Sequence, residues 1–406
     1  MTGRSLLVKI RPWLLGTLGI GLITAPFLWT RIQSDLATGN VVLALSPSNG
    51  FQFLSVVLPG FAIGALVAAA AALWGRFGPR RPLVATFAHH LLERPWALGA
   101  LGTIFSCLAL LGSAKLLSLG SFVCLYMLLA LGLNVTIGFT GLLVLGYAAF
   151  YSVGAYAFAL WAQFLPGFPA WAALPLGFAA AAAVGFLVGL PCLRLRGDYL
   201  AIVTLGFAEA FRELVRNLPA AGGDMGIVLP AASRIRALGP FSAAQAACIA
   251  GIWLVLLLSI SVHRLYHSRT GRAWIAIRED ETAAAMMGIP VVRLKLLAFS
   301  VSAGIGGLAG AYFAGFTGFV DPSTSTFDQS VLILAMVILG GIGSLPGVLA
   351  GAVLLYLVPT LLRDQISQIS DYRLFFFGSI LVAMMLLRPQ GLLGSPRHKM
   401  EMEGPA

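Results

Sequence analysis

Charge is scarce in this sequence: Asp, Glu, Lys and Arg make up 10% of its 406 residues, and Lys9, Lys115, Lys295 and Lys399 are its only lysines. None of the four follows a glycine. The chain therefore has no G-x-x-x-x-G-K-S/T loop to cradle nucleotide phosphates, and ATP hydrolysis by that route is excluded. Cysteine is as sparse. Cys107, Cys124, Cys192 and Cys248 lie far apart in apolar sequence without histidine partners, as packing residues do, whereas disulfide frameworks and zinc sites use closer, polar-flanked spacings. His89, His90, His263, His267 and His398 form no H-E-x-x-H pattern and fall at the edges of apolar runs; interfacial side chains are expected there, not metal ligands. The usual parts of a membrane-embedded enzyme are missing, and neither a cofactor nor a metal is expected.

What the chain has instead is apolar length. Apolar residues make up 59% of it, with 47 glycines, and residues 13–29, 51–74, 241–262 and 296–320 carry no charge at all. A bilayer core of about 30 Å takes roughly 20 apolar residues in a helix. This composition describes an all-α, polytopic transmembrane protein of about 10–12 membrane elements, some of them broken or short. Twelve candidates, at 13–29, 51–74, 96–114, 120–137, 142–161, 170–190, 199–215, 241–262, 296–315, 327–339, 347–362 and 374–387, put both termini on one side. A cleaved signal peptide is the competing reading of the first run; the second span beyond it and the absence of a clear small-x-small site favour a retained span.

The net charge of +11 does not point to nucleic acid, because the basic residues stand between apolar runs and not along one face. Arg4, Lys9 and Arg11 precede the first run; Arg76, Arg80, Arg81 and Arg94 follow the second; Arg264, Arg269, Arg272 and Arg278 follow the run at 241–262; Arg397 and Lys399 close the chain. By the positive-inside rule these segments and both termini are cytoplasmic. Residues 1–95 read as N-terminal spans and a linker, 96–394 as the core, and 395–406 as a cytoplasmic tail.

Glycine marks two interruptions, Gly138-Phe139-Thr140-Gly141 and Gly340-Gly341-Ile342-Gly343 before Pro346. In hydrocarbon, a helix break survives only where protein or a water-filled cavity satisfies the freed backbone groups. Each interruption reads either as a broken helix beside a pathway or as a tight turn between spans. The tetrapeptide GFTG recurs at 315–318, but its flanks do not agree with those at 138–141, so no internal repeat is inferred. Small residues four apart, such as Gly185 and Gly189 or Gly306 and Gly310, suit close helix packing within the chain or a dimer face. Glu209, Asp321 and Asp328 are the acids available for ion coupling. Local roles compete: an ion pair with Arg212 for Glu209, a loop for Asp321, a helix start for Asp328.

One stretch breaks the shortage of charge. In "GRAWIAIREDETAAAMMGIP", residues 271–290, four consecutive charged residues precede three alanines and two methionines. Acidic residues, alanines, a glycine and a proline beyond it punctuate a short helix of about two or three turns. Ala283, Ala284 and Ala285 leave its surface thin, and Met286 and Met287 offer an adaptable apolar contact, as docking in a partner's groove requires.

This segment, at 264–295, resembles the coupling loop of ABC importer permeases, and specifically of the LivM-like branched-chain amino-acid permeases. "LGLNVTIGFTGLLVLGYAAFYSVGAYAFAL" from Leu131, "LRLRGDYLAIVTLGFAE" from Leu193, "LGGIGSLPGVLAGA" from Leu339 and "RPQGLLG" from Arg388 are similar to the same family. The resemblance implies a non-catalytic permease subunit moving branched-chain or related amino acids inward, beside a second permease, two ATPase subunits and a soluble binding protein. It places the ATPase coupling on Gly271, Arg272, Trp274, Arg278, Glu279, Asp280, Glu281 and Gly288. The importer pattern Glu-Ala-Ala-x-x-x-Gly would put its acid at Thr282, one residue after Glu281. The outer loop, 218–240, carries "GGDMG" where the family commonly has Gly-Gly-Pro-Asn-Gly. Asn134, Thr140, Tyr147, Tyr151 and Thr204 are the polar residues expected near the substrate path, the alternative being that each bonds a neighbouring backbone. A stand-alone ion-coupled secondary transporter is the alternative function.

Overall fold

The computed structural model of the chain describes residues 30–34, 41–45, 113–165, 170–192, 198–230, 233–235 and 242–365. The expected spans at 13–29, 51–74 and 374–387, nearly all of that at 96–114, and the C-terminal tail lie outside them. The chain divides into two compact units, Met1–Arg81 and Pro82–Ala406. In the first, β1 (Thr30–Ser34) and β2 (Val41–Leu45) pair antiparallel with Thr30 opposite Leu45. The sequence reading places no strand here; β-branched Thr30, Ile32, Val41 and Val42 favour the extended backbone.

The described part of the second unit is helical. Helix α1 (Ala114–Asn134) runs into a π-helical turn at Val135–Thr140, and is followed by α2 (Tyr147–Phe164), α3 (Ala170–Cys192), α4 (Asp198–Asn217) and α5 (Ala243–His267). Two short helices, α6 (Arg269–Glu279) and α7 (Glu281–Met286), precede α8 (Val291–Thr317), α9 (Phe327–Gly340) and α10 (Leu345–Gln365). Among the described residues, four stretches, Lys115–Thr140, Trp171–Pro191, Ala243–His267 and Val291–Thr317, are long and apolar enough to cross a membrane. The chain is an all-α polytopic membrane protein.

Helix α8 is the central element, and its glycines are why. A Cβ on Gly154 of α2 would overlap the backbone of Gly307, and one on Gly177 of α3 would lie 2.7 Å from Gly307 O. Three helices thus meet at three hydrogen-only positions. Gly185, Gly189 and Gly310 are closed in the same way by atoms of this chain, which assigns those small residues to internal packing. Across α1, Ser302 Oγ donates to Gly132 O at 2.7 Å while Ser302 O accepts from Tyr147 Oη at 3.0 Å. One serine therefore ties α8 to both α1 and α2. On the other side of α1, α5 packs closely enough that a Cβ on Gly251 would lie 2.8 Å from Cys124 Cβ. Cys124 and Cys248 are buried free thiols.

The two GFTG tetrapeptides do the same local job without marking a repeat. Gly141 ends the π-turn at φ 72°, ψ 13°, and Gly318 ends α8 at φ 69°, ψ 14°, a left-handed conformation that glycine adopts without a Cβ penalty. The interruption expected at 138–141 comes later: Gly138, Phe139 and Thr140 still belong to the π-helical turn, and the chain leaves the helix at Gly141 and stays irregular until α2 opens at Tyr147, five residues after the expected start. The second break separates α9 from α10 at Gly341–Ser344.

With 27 residues, α8 is about 40 Å long, so the segments before Val291 and after Thr317 sit at opposite ends. Beyond Thr317, β4 (Phe319–Val320) pairs with β3 (Ile227–Val228), Ile227 opposite Val320. The loop at 218–230 and Asp321 therefore share the end away from α6 and α7. There Asp224 pairs with Arg216, and that hydrogen bond raises the guanidinium above its ordinary pKa.

Candidate functional site

Ser268 opens α6 by accepting from Gly271 N at 3.2 Å. Gly271 is needed because a Cβ there would strike the carbonyls of Leu265 and Tyr266. The expected single helix is two. Asp280 takes an extended conformation (φ −152°, ψ 111°) and its carboxylate accepts from Thr282 N at 2.7 Å and Ala283 N at 2.9 Å. That capping geometry ends α6 and starts α7 at one residue. Gly288, at φ 80°, turns the chain toward α8.

The inner face of the α6–α7 segment is anchored at three points. Trp274 is fully buried, and its Nε1 donates to Leu294 O at 2.8 Å. Arg278, one turn on, reaches a different element: its Nη1 donates to Gly138 O, in the π-turn, at 2.7 Å. Glu281 accepts from Lys295 Nζ at 2.6 Å, the lysine buried and the glutamate partly so. Arg272 bonds His267 O at 3.0 Å and is exposed, as are Glu279 and Asp280. The exposed surface of α7 and the residue after it is mostly apolar, with Met286 83% and Met287 82% exposed beside exposed Ala283 and Ala285; of the three alanines only Ala284 is buried. The eight residues expected to couple thus divide into inward anchors and an outward face.

The five residues expected near the substrate path are all buried, and four bond backbone. Tyr147 donates to Ser302 O; Thr140 Oγ1 donates to Thr136 O at 2.6 Å; Thr204 Oγ1 accepts from Leu145 N at 3.2 Å and donates to Ala201 O at 2.9 Å; Asn134 Oδ1 accepts from Gly343 N at 2.9 Å. Tyr151 packs edge-on against Phe313, centroids 5.5 Å apart. Asn134 Nδ2 is buried without a hydrogen-bond partner. Among the acids, Glu209 pairs with Arg212 at 2.7 Å, and Asp328 stands in the first turn of α9. A groove of about 480 Å³ between α3 and α4 is lined only by apolar residues, among them Leu187, Val203 and Phe207, so it offers nothing to an ammonium or carboxylate.

Sequence reasoning missed Lys295, Gly138 O, Leu294 O and Ser302. Lys295 had a signal, as a lone lysine in "VVRLKLLAFS"; the carbonyls and the serine had none.

Residues 116–385 match the family described as "Branched-chain amino acid transport system / permease component". The chain belongs to this permease family. It is 41% identical over 302 residues to the high-affinity branched-chain amino acid transport system permease protein LivM of Salmonella typhimurium, covering 69% of this chain and 70% of that protein. Against LivM of Escherichia coli K12 it is 41% identical over 305 residues, with 70% and 71% covered. It is also 26% identical over 285 residues to the permease protein LivH of Salmonella typhimurium, covering 67% of this chain and 92% of that one. No solved structure matches. The LivM-like resemblance read from the sequence holds, and this permease is a multi-pass membrane protein.

Proposed function

We propose that this permease is the non-catalytic membrane subunit of an ABC importer that carries branched-chain or related amino acids into the cytoplasm. A second permease of the LivH kind pairs with it, two ATPase subunits dock beneath, and a soluble binding protein delivers substrate from outside. The observation that carries this reading is the division of the α6–α7 segment: Trp274, Arg278 and Glu281 hold it to the membrane helices while Met286 and Met287 stand exposed. A segment built this way receives force on one face and passes it on through the other. The arginines at 264, 269, 272 and 278 support a cytoplasmic position by the positive-inside rule, in a bacterial inner membrane with both termini inside. Residues 96–394 form the permease core, 264–295 its coupling loop, 1–95 a peripheral part and 395–406 the tail. Asn134, Thr140, Tyr147, Tyr151 and Thr204 frame the substrate path; all but Tyr151 hold the broken elements through bonds to backbone, and Asn134 keeps one buried donor, Nδ2, unpaired. Ion-coupled transport by the chain alone is disfavoured by Glu209, which is 41% exposed and already paired with Arg212.

The test uses the full complex in proteoliposomes. Leucine uptake should require ATP, and Met286→Asp with Met287→Asp should cut ATPase copurification by about tenfold or more, because apolar docking cannot bury two carboxylates. The second permease should stay bound. Wild-type ATPase recovery in the double variant, or uptake driven by an ion gradient without ATPases, would refute the reading.

A further inference from the structure

The carbonyl of Gly138 belongs to the last turn of a helix, where backbone acceptors lose their intrahelical donors. Arg278 supplies one, Nη1 at 2.7 Å. The same node contains the second glycine break: Gly343 N donates to Asn134 Oδ1 at 2.9 Å, and a Cβ on Gly343 would lie 3.3 Å from Gly138 O and 3.4 Å from Arg278 Nη1. Gly141 is closed by the same side chain, its Cβ position 3.1 Å from Arg278 Cγ. One arginine of the α6–α7 segment therefore bonds the π-turn at Gly138, packs against Gly141 where the first break begins, and lies beside the second break at Gly343, which Asn134 also bonds. At this node Asn134 Nδ2 is buried without an acceptor, so the arrangement leaves a donor that a rearranged break can satisfy. A buried polar group left unpaired favours any conformation that pairs it.

We propose that Arg278 is a positioning residue of transport: it faces the membrane helices and not the ATPase, and it carries displacement of α6 to the two glycine breaks, which move as one unit. This rests on the reading of α6–α7 as the docking segment. Trp274 and Arg278 are four apart on α6 and share a face; the first fixes α6 to α8, and the second joins it to the breaks. Charge-assisted bonds to backbone carbonyls are strong and directional, which suits transmission across an element boundary.

The experiment compares wild type with Arg278→Met, Arg278→Lys, Asn134→Leu and the Arg278→Met/Asn134→Leu double variant in the assembled transporter, reading ATPase copurification and leucine uptake per ATP hydrolysed. Arg278→Met should keep ATPase recovery within about twofold of wild type and lose about tenfold or more of uptake per ATP, in the range of coupling between linked sites. Arg278→Lys should recover part of it, since an ammonium still donates to one carbonyl. Asn134→Leu should lower the same ratio, and the double variant should be no worse than the worse single one, as for one route and not two. A wild-type ratio in Arg278→Met, or loss of ATPase copurification in it, overturns the proposal; the second result would place Arg278 on the docking face. If Arg278→Met does not insert, Asn134→Leu decides by the same ratio, a wild-type value overturning the proposal. A wild-type complex without ATP-dependent uptake would instead defeat the proposed function itself.

Discussion

Trp274 and Leu294 lie on different helices, and the indole Nε1 of the first donates to the carbonyl of the second at 2.8 Å. The tryptophan is fully excluded from solvent. This contact ties the short α6 to the first turn of the long α8, so the segment proposed to couple cannot swing as a free loop.

Replacing Trp274 separates its packing from its hydrogen bond. Trp274→Phe keeps most of the buried ring and loses one neutral bond, a cost of about 1 kcal/mol. Trp274→Ala empties the site, at about 3–5 kcal/mol for a buried aromatic. Thermal melting of the purified complex in detergent should rank wild type above Phe above Ala. An Ala variant that melts with wild type would show that α6 is held elsewhere.

The 264–295 segment stands out in the sequence because its charge is out of keeping with the chain around it, and a break near Gly141 because glycine and polar residues coincide there in an apolar run, although the helix runs on to Thr140. The internal construction of the coupling segment was not legible. Whether Asp280 continues a helix or caps a new one depends on where its own carboxylate turns, and composition carries no such information. From the sequence Arg278 reads as a docking charge; its bond to Gly138 O is visible only in the fold. Glu281 and Lys295 are 14 residues apart, beyond the three or four over which helix spacing predicts a pair. The polar residues near the break stand out in the sequence, but their backbone partners do not. Ser302 O and Gly343 N, among them, come from segments more than 150 positions away.

The crossing of α2, α3 and α8 gives a contrast between two glycines. Gly154 faces the Gly307 backbone with no room for a methyl, whereas a Cβ on Gly206 of α4 meets nothing within 4 Å. Gly154→Ala should cost about 1–3 kcal/mol by forcing packed helices apart and should lower both the yield of folded subunit and its melting temperature. Gly206→Ala should leave both unchanged or raise them slightly, because alanine is the better helix former. Equal behaviour of the two variants would contradict the close crossing.

Thr204 tests whether the polar residues beside the break select substrate or hold structure. Its hydroxyl accepts from Leu145 N at 3.2 Å and donates to Ala201 O at 2.9 Å, and the residue is fully buried. It thereby pins the irregular segment between Gly141 and Gly146 onto α4. Thr204→Val keeps the shape and removes the acceptor, leaving Leu145 N unpaired away from water, at a cost of about 1–3 kcal/mol. Thr204→Ser returns the hydroxyl and should restore most of the loss. Because the hydroxyl is spent on backbone, the valine variant should melt lower and transport more slowly while keeping the wild-type ratio of leucine to valine uptake. A changed ratio at unchanged stability would mean that Thr204 contacts the amino acid, and the path would then run between α4 and the segment after the π-turn.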